Sequence, residues 1–132
     1  LHIKVLNQYI KDLSYENFQK KNINNLSIVE NDTSVDINVI YKPYDKEFFG
    51  VIIKILISCK SKEEKSVIFH LELDYFGFFK TTNLETFSRD KLSSEGAKII
   101  FPFARSIIAS ITQNGGNIPI YLDNPDFNLI KS

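Results

Sequence analysis

The sequence has no tryptophan, no methionine, a single cysteine and only two histidines in 132 residues. One cysteine cannot close an intrachain disulfide or build a cysteine-ligated zinc site, and it suits a reducing compartment. Net charge is missing as well, because sixteen basic residues balance sixteen acidic ones. Such a chain has no broad field to draw in nucleic acid or an anionic membrane. No stretch reaches the roughly 18 consecutive apolar residues of a membrane span. The N-terminal "LHIKVLNQYIKDL" lacks the apolar core and cleavage site of a secretory signal. Repeats and low-complexity tracts are absent. A single domain over 1–132 with a cytoplasmic address is therefore expected.

Aromatic residues are plentiful instead: 11 Phe and 6 Tyr. Each large aromatic buries about 150–250 Å², enough to build much of a small core and leave some for an interaction surface. Period-2 alternation dominates the first half of the chain. Residues 3–10 place Ile3, Val5 and Tyr9 on one side and Leu6 and Ile10 on the other, with a bulge expected near Lys11–Leu13. Residues 17–32, rich in Asn and Lys, form a long polar connection, a crossover or functional loop. Strands are expected at 33–42, 51–60 and 66–75, with a turn in 41–50 around Pro43, Asp45 and Gly50 and a charged hairpin tip at 61–65.

Beyond the strands, residues 80–96 read as a long loop or a broken turn of helix. From Ile99 the period becomes helical: Ile99, Ile100, Phe103, Ile107, Ile108 and Ile111 share one stripe, and Gly115-Gly116 ends it. Pro102 then falls early in that helix, where a missing N–H costs least. Asn124-Pro125 is a candidate N-cap and first residue for a second helix, cut short at Ser132. Strands first and helices last give an α+β fold: a four-stranded antiparallel sheet with two C-terminal helices.

Little of this offers catalysis. His2 and His70 are the only histidines, and His70 sits beside Glu72 on the polar side of a strand as a solvated residue. Cys59 reads as a buried thiol with no activating neighbour. Glu72 and Asp74 share a strand face, the pattern of a solvated edge or a binding surface. Gly115-Gly116 follows a helix and lacks the lysine of a phosphate loop. Metal-ligand spacing is missing, so neither an enzyme nor a cofactor is expected. The aromatics near the strand ends and helix start, Phe48, Phe49, Tyr75, Phe76, Phe78, Phe79, Phe87, Phe101 and Phe103, serve either a core and subunit interface or an apolar groove for extended polypeptide. Arg105, off the Ile stripe, is expected to bond a helix or loop.

Three stretches carry a family resemblance. "QYIKDLSYEN" (8–17) resembles the opening strand of the SecB protein-export chaperones, and "LELDYFGFF" (71–79) resembles their last strand. "IIFPFARSIIASITQNGGNIPIYLDNPDF" (99–127) is similar to their long helix and the loop after it, with the Phe-Pro-aromatic-Ala-Arg core and the glycine stop. The resemblance implies a homotetramer, a dimer of dimers, that holds unfolded precursor proteins without ATP and passes them to SecA. It implies Asp12, Glu16 and Glu72 as SecA contacts on the sheet's exposed side. Phe76, Phe78, Phe79 and Phe101, with the 17–32 crossover, are implied for clients. The helix stripe at Phe103, Ile107, Ile108 and Ile111 is expected to be shared with a neighbouring subunit. The family's usual crossover tryptophan and acidic balance are absent here. A SecB-like chaperone guarding an antitoxin and a carrier of small apolar ligands are the other readings; retained acids favour export.

Overall fold

In the computed structural model, residues 1–18, 31–62 and 65–130 are described. Four antiparallel strands, β1 (Lys4–Asn17), β2 (Asn31–Pro43), β3 (Phe48–Ser61) and β4 (Val67–Lys80), form one sheet in the order β1-β4-β3-β2. β1 and β2 lie at opposite edges, which explains why a long connection separates them. Its residues 19–30, implied as part of a client surface, lie outside the described residues, as do Glu63 and Glu64 of the hairpin tip. The turn expected before β3 is present: Phe48 N–H donates to the Asp45 carbonyl at 2.8 Å, with Lys46 at φ 33°.

One face of the sheet is covered by a single long helix, α1 (Arg89–Asn114). Val51, Ile53, Ile55, Ile57 and Cys59 of β3 meet Phe69, Leu71, Leu73, Tyr75 and Phe79 of β4 beneath Leu92, Ala97, Ile100, Ala104 and Ile108, forming the core. The strands outrun their alternating stretches. β4 continues to Lys80 because both of its faces are covered there, with Phe76 and Phe79 both buried, so the polar half of the alternation vanishes.

The helix starts ten residues before its apolar stripe. Ser88 caps it, its hydroxyl accepting from Lys91 N–H at 3.1 Å. The first turns bury Leu92 together with Ser93, Ser94, Gly96 and Ala97, the last four being small residues that bring the helix close to the sheet. A Cβ at Gly96 would sit 2.8 Å from Val51 Cγ2. Residues 80–96 are thus a short 3-10 turn at Leu84–Thr86 followed by the start of α1, not a loop. Pro102 consequently lies mid-helix, on its exposed side.

The second helix is corrected too. Residues 127–129 form a turn. Asp126 accepts from Asn128 N–H at 3.0 Å through its carboxylate and from Leu129 N–H through its carbonyl, the local side-chain bond that competes with helix initiation. Phe127 folds back onto Phe101, ring centroids 5.4 Å apart. Among the described residues, no helix is long and apolar enough to cross a membrane.

Candidate functional site

The sheet face turned away from α1 is the surface on which the three implied acids converge. β1 reaches it through two bulges, between Val5 and Asn7 and between Ile10 and Asp12. Each inserts one residue and reverses the alternation. The second lies where the sequence suggested one. Together they put Asp12, Ser14 and Glu16 on the outer face, and Tyr9 with them. Tyr9 therefore lies opposite to Val5, not beside it, while Ile10 joins Val5 on the helix side.

The rungs of the β1–β4 ladder divide this face in two. Glu16 stands opposite His70, Ser14 opposite Glu72, and Asp12 opposite Asp74. The next rungs pair Tyr9 with Phe76 and Asn7 with Phe78. One half is therefore acidic and the other aromatic. Asp12, Glu16 and Glu72, the three acids implied as SecA contacts, form a diagonal cluster, with neighbouring rungs about 7–8 Å apart. Among the described residues, no cation lies within ion-pair distance of any of them; Asp74 alone is paired, with Lys54 Nζ at 3.5 Å.

The aromatic half is a layer of interlocked rings. Phe48 stacks on Phe78 at 5.7 Å with 7° between planes, Tyr44 meets Phe78 edge-on at 5.1 Å, and Tyr9 tilts over Phe76 at 5.1 Å. Gly50 makes room for them: a Cβ there would lie 2.8 Å from Phe76 and 2.9 Å from Tyr44. Tyr9 and Tyr44 remain 46% and 52% exposed, and Leu56 on β3 is 42% exposed. Sequence reasoning missed Tyr9 and Tyr44 here; Tyr9 reaches this face through the first bulge, between Val5 and Asn7, which the alternation did not suggest.

The implied client residues do not all share this surface. Phe76 and Phe78 do, one buried and one half-buried. Phe79 is 0% and Phe101 1% exposed; both are core side chains facing α1 and the sheet, with no surface to offer a client. The implied subunit stripe divides likewise. Phe103 is 49% exposed, and Ile107 and Ile111 are half-buried, but Ile108 is sealed in the core. Beside the exposed flank of α1 lies an open groove of about 480 Å³ lined by Arg105, Ser106, Ser110, Gln113 and Tyr121. Arg105 meets the following loop by stacking, its guanidinium 6.0 Å from the Tyr121 ring, and its covered Nε has no hydrogen-bond partner.

The titratable groups of the inner face are structural. Burial pushes the Cys59 thiol up from its ordinary value, only partly offset by a weak bond from the Thr33 hydroxyl at 3.7 Å. Tyr15 and Tyr75 are raised for the same reason. Their hydroxyls take part in single hydrogen bonds, Tyr15 accepting from Asn117 at 2.9 Å and Tyr75 donating to Gln8 at 3.0 Å. Cys59 is thus the buried thiol expected of it.

A match to the family model described as "Preprotein translocase subunit SecB" runs over residues 1–130. The chain belongs to the SecB family of protein-export chaperones. Relatives named "Protein-export protein SecB" agree over nearly the whole chain. The one from Orientia tsutsugamushi (strain Boryong) is 40% identical, covering 95% of this chain and 78% of the relative. That from Rickettsia typhi is 38% identical over 96% and 83%, and that from Dinoroseobacter shibae 35% over 95% and 73%. Among solved structures, the Mycobacterium tuberculosis SecB-like chaperone in complex with a peptide from the HigA1 antitoxin superposes with TM-score 0.70. It covers 93% of this chain and 90% of that one at 11% identity. That likeness is one of fold, and it agrees with the four-stranded sheet backed by one long helix.

Proposed function

We propose that this chain works as an ATP-independent holdase in the cytoplasm, assembled as a dimer of dimers, which keeps precursor polypeptides unfolded and hands them to SecA. The observation that carries the reading is the clustering of Asp12, Glu16 and Glu72 on one solvent face of β1 and β4, without cationic partners among the described residues. Unpaired acids on an exposed sheet face suit a basic partner, whose approach they steer and orient. The neighbouring rings of Tyr9, Tyr44, Phe48 and Phe78 provide apolar area that tolerates many sequences, as a holdase needs. They replace the buried Phe79 and Phe101 as the client surface, with buried Phe76 beneath them. Phe103, Ile107 and Ile111 supply the apolar flank of α1 for a neighbouring subunit. No step of this reading needs a catalytic group or a cofactor.

Competition between an unfolded client and purified SecA tests the reading. A reduced, unfolded protein is expected to bind while its folded form does not, and charge reversal at Asp12 or Glu72 is expected to weaken SecA binding only. A chain that ignores unfolded protein, or binds SecA equally well after charge reversal, defeats it. The export role is preferred to an antitoxin role because relatives sharing more than a third of the sequence carry export names, whereas the antitoxin-bound neighbour shares the fold alone.

A further inference from the structure

Asn114-Gly115 is the one Asn-Gly pair in the sequence, and it stands in solvent where α1 ends. Asparagine is a thermolabile residue, most of all before glycine. With no Cβ to obstruct it, the glycine nitrogen readily approaches the asparagine Cγ. Here both groups are engaged elsewhere. Asn114 Nδ2 donates to the Ser110 carbonyl at 2.8 Å, and Gly115 N–H donates to the Ile111 carbonyl at 2.9 Å. β1 then clamps the turn from outside. Asn17 Nδ2 donates to the Gly115 carbonyl at 2.9 Å, and the Tyr15 hydroxyl accepts from Asn117 Nδ2 at 2.9 Å. These partners lie 98 and 102 positions apart in the chain, so tertiary packing holds the last turn of α1 closed.

We infer that Asn114 is a site of self-modification, converted to an aspartyl or isoaspartyl residue when the last turn of α1 opens, and that the Tyr15–Asn17 clamp sets how often it opens. In the open turn the Gly115 nitrogen gives its proton to water and bonds to the Asn114 Cγ. The Cγ–Nδ2 bond breaks and that nitrogen leaves as ammonia. One water then opens the cyclic imide. Addition at Cγ restores the main chain with an aspartyl side chain, whereas addition at the Asn114 carbonyl carbon leaves an isoaspartyl link. The sum is an amide and a water going to a carboxylate and an ammonium ion, with no change of oxidation state. Either product keeps the turn open. A carboxylate has no proton to donate to the Ser110 carbonyl, and it lies at the negative end of the helix dipole. The isoaspartyl link also lengthens the main chain under Tyr15, where even an added Cβ at Gly115 would run into the hydroxyl. The change is one-way, and it frees the end of α1 from β1.

The test is peptide mass spectrometry on the full chain after incubation in mildly alkaline buffer, with wild type, Tyr15→Phe, Asn17→Ala and Ile53→Val. In guanidinium chloride, wild type is expected to convert at Asn114 ahead of its other asparagines. In native buffer it should convert at least about tenfold more slowly, because the reaction waits for local opening. Tyr15→Phe and Asn17→Ala each lose a clamp hydrogen bond and are expected to convert about two- to tenfold faster than wild type while folded. Ile53→Val thins the core away from the clamp and is expected to keep the wild-type rate, which separates loosening of the turn from general loss of stability. Conversion of other asparagines first in the unfolded chain overturns Asn114 as the site. A native rate equal to the unfolded one overturns the protection. Tyr15→Phe and Asn17→Ala at the wild-type rate, or Ile53→Val as fast as either, overturns the role of the clamp.

Discussion

Asp12 and Asp74 stand directly opposite each other across the β1–β4 ladder, two carboxylates on one rung of the outer face. Like charges so placed destabilise a sheet, and a single lysine, Lys54 on Asp74, offsets them. The adjacent rungs add Glu72 and Glu16. This arrangement costs stability, a cost the proposed partner surface would account for.

Replacing Asp12 should therefore separate stability from binding. Asp12→Asn removes the repulsion with Asp74 and is expected to raise stability in urea by about 0.2–1 kcal/mol, while weakening SecA binding. Equilibrium unfolding read beside a binding titration checks both. A loss of stability would mean that the carboxylate makes a favourable contact in the fold.

The end of α1 is held against β1 through Tyr15. A Cβ at Gly115 would run into the Tyr15 hydroxyl and lie 2.6 Å from its Cζ. That hydroxyl accepts from Asn117, and Asn17 donates to the Gly115 carbonyl at 2.9 Å. Gly115→Ala is expected to cost about 1–3 kcal/mol by overpacking, and Tyr15→Phe about 0.5–1.5 kcal/mol through its lost hydrogen bond. Because Tyr15→Phe removes the nearest clashing atom, the double variant should be less destabilised than the sum, a coupling readable in a double-mutant cycle.

Core and outer-face aromatics should behave differently. Phe79→Ala empties a core position packed against Phe49 at 5.2 Å between rings and is expected to cost about 3–5 kcal/mol. Tyr44→Ser removes a half-exposed ring from the outer layer, so its stability should shift by less than about 1 kcal/mol, while affinity for an unfolded client falls. Thermal melts with a client-binding assay distinguish the outcomes. Equal effects on stability would remove the separation between core and client surface.

The parts of the fold that were legible in the sequence were those where one face is apolar and the other polar. Ile55 and Leu71 announce their strands because their neighbours Lys54, Leu56, His70 and Glu72 face water. The first half of α1 was hidden because its buried side consists of Leu92, Ser93, Gly96 and Ala97, where close approach to the sheet replaces bulk. The second helix was over-read from Asn124-Pro125, since nothing in that pattern reveals the competing bond from the Asp126 carboxylate. At the site, periodicity left Glu72 on a solvated edge or a binding surface, and only the family resemblance singled out Asp12, Glu16 and Glu72 together. Tyr9 and Tyr44 depended on a bulge and a hairpin, whose effects on which face a ring occupies are decided by register rather than composition.

Assembly offers a further contrast along α1. Phe103 is half-exposed on its outer flank, whereas Ile108 is 0% exposed in the core. Phe103→Asp should leave protomer stability within about 0.5 kcal/mol yet shift the mass in light scattering from the proposed tetramer to a smaller species. Ile108→Asp should unfold the protomer itself, because it buries an unpaired carboxylate. An intact tetramer with Phe103→Asp would place the subunit contact elsewhere.

Cys59 reports on the integrity of the inner face. It is 4% exposed, and burial raises its thiol, so labelling by a thiol reagent at about pH 8 should be at least tenfold slower in native buffer than in urea, as reaction requires local opening. The same shift has a pH consequence of definite sign. A folded thiol held above the unfolded value of about 8.5 contributes stability that is present below that value and lost as pH rises past it, because the unfolded chain ionises first. Tyr15, Tyr41 and Tyr75 shift in the same direction, but their ordinary values near 10 place their effect higher. Between about pH 8.5 and 10, wild type should therefore lose stability more steeply than Cys59→Ala, whose cavity lowers stability at every pH without adding slope. Parallel curves in that window would show that the thiol ionises as freely in the fold as in the unfolded chain.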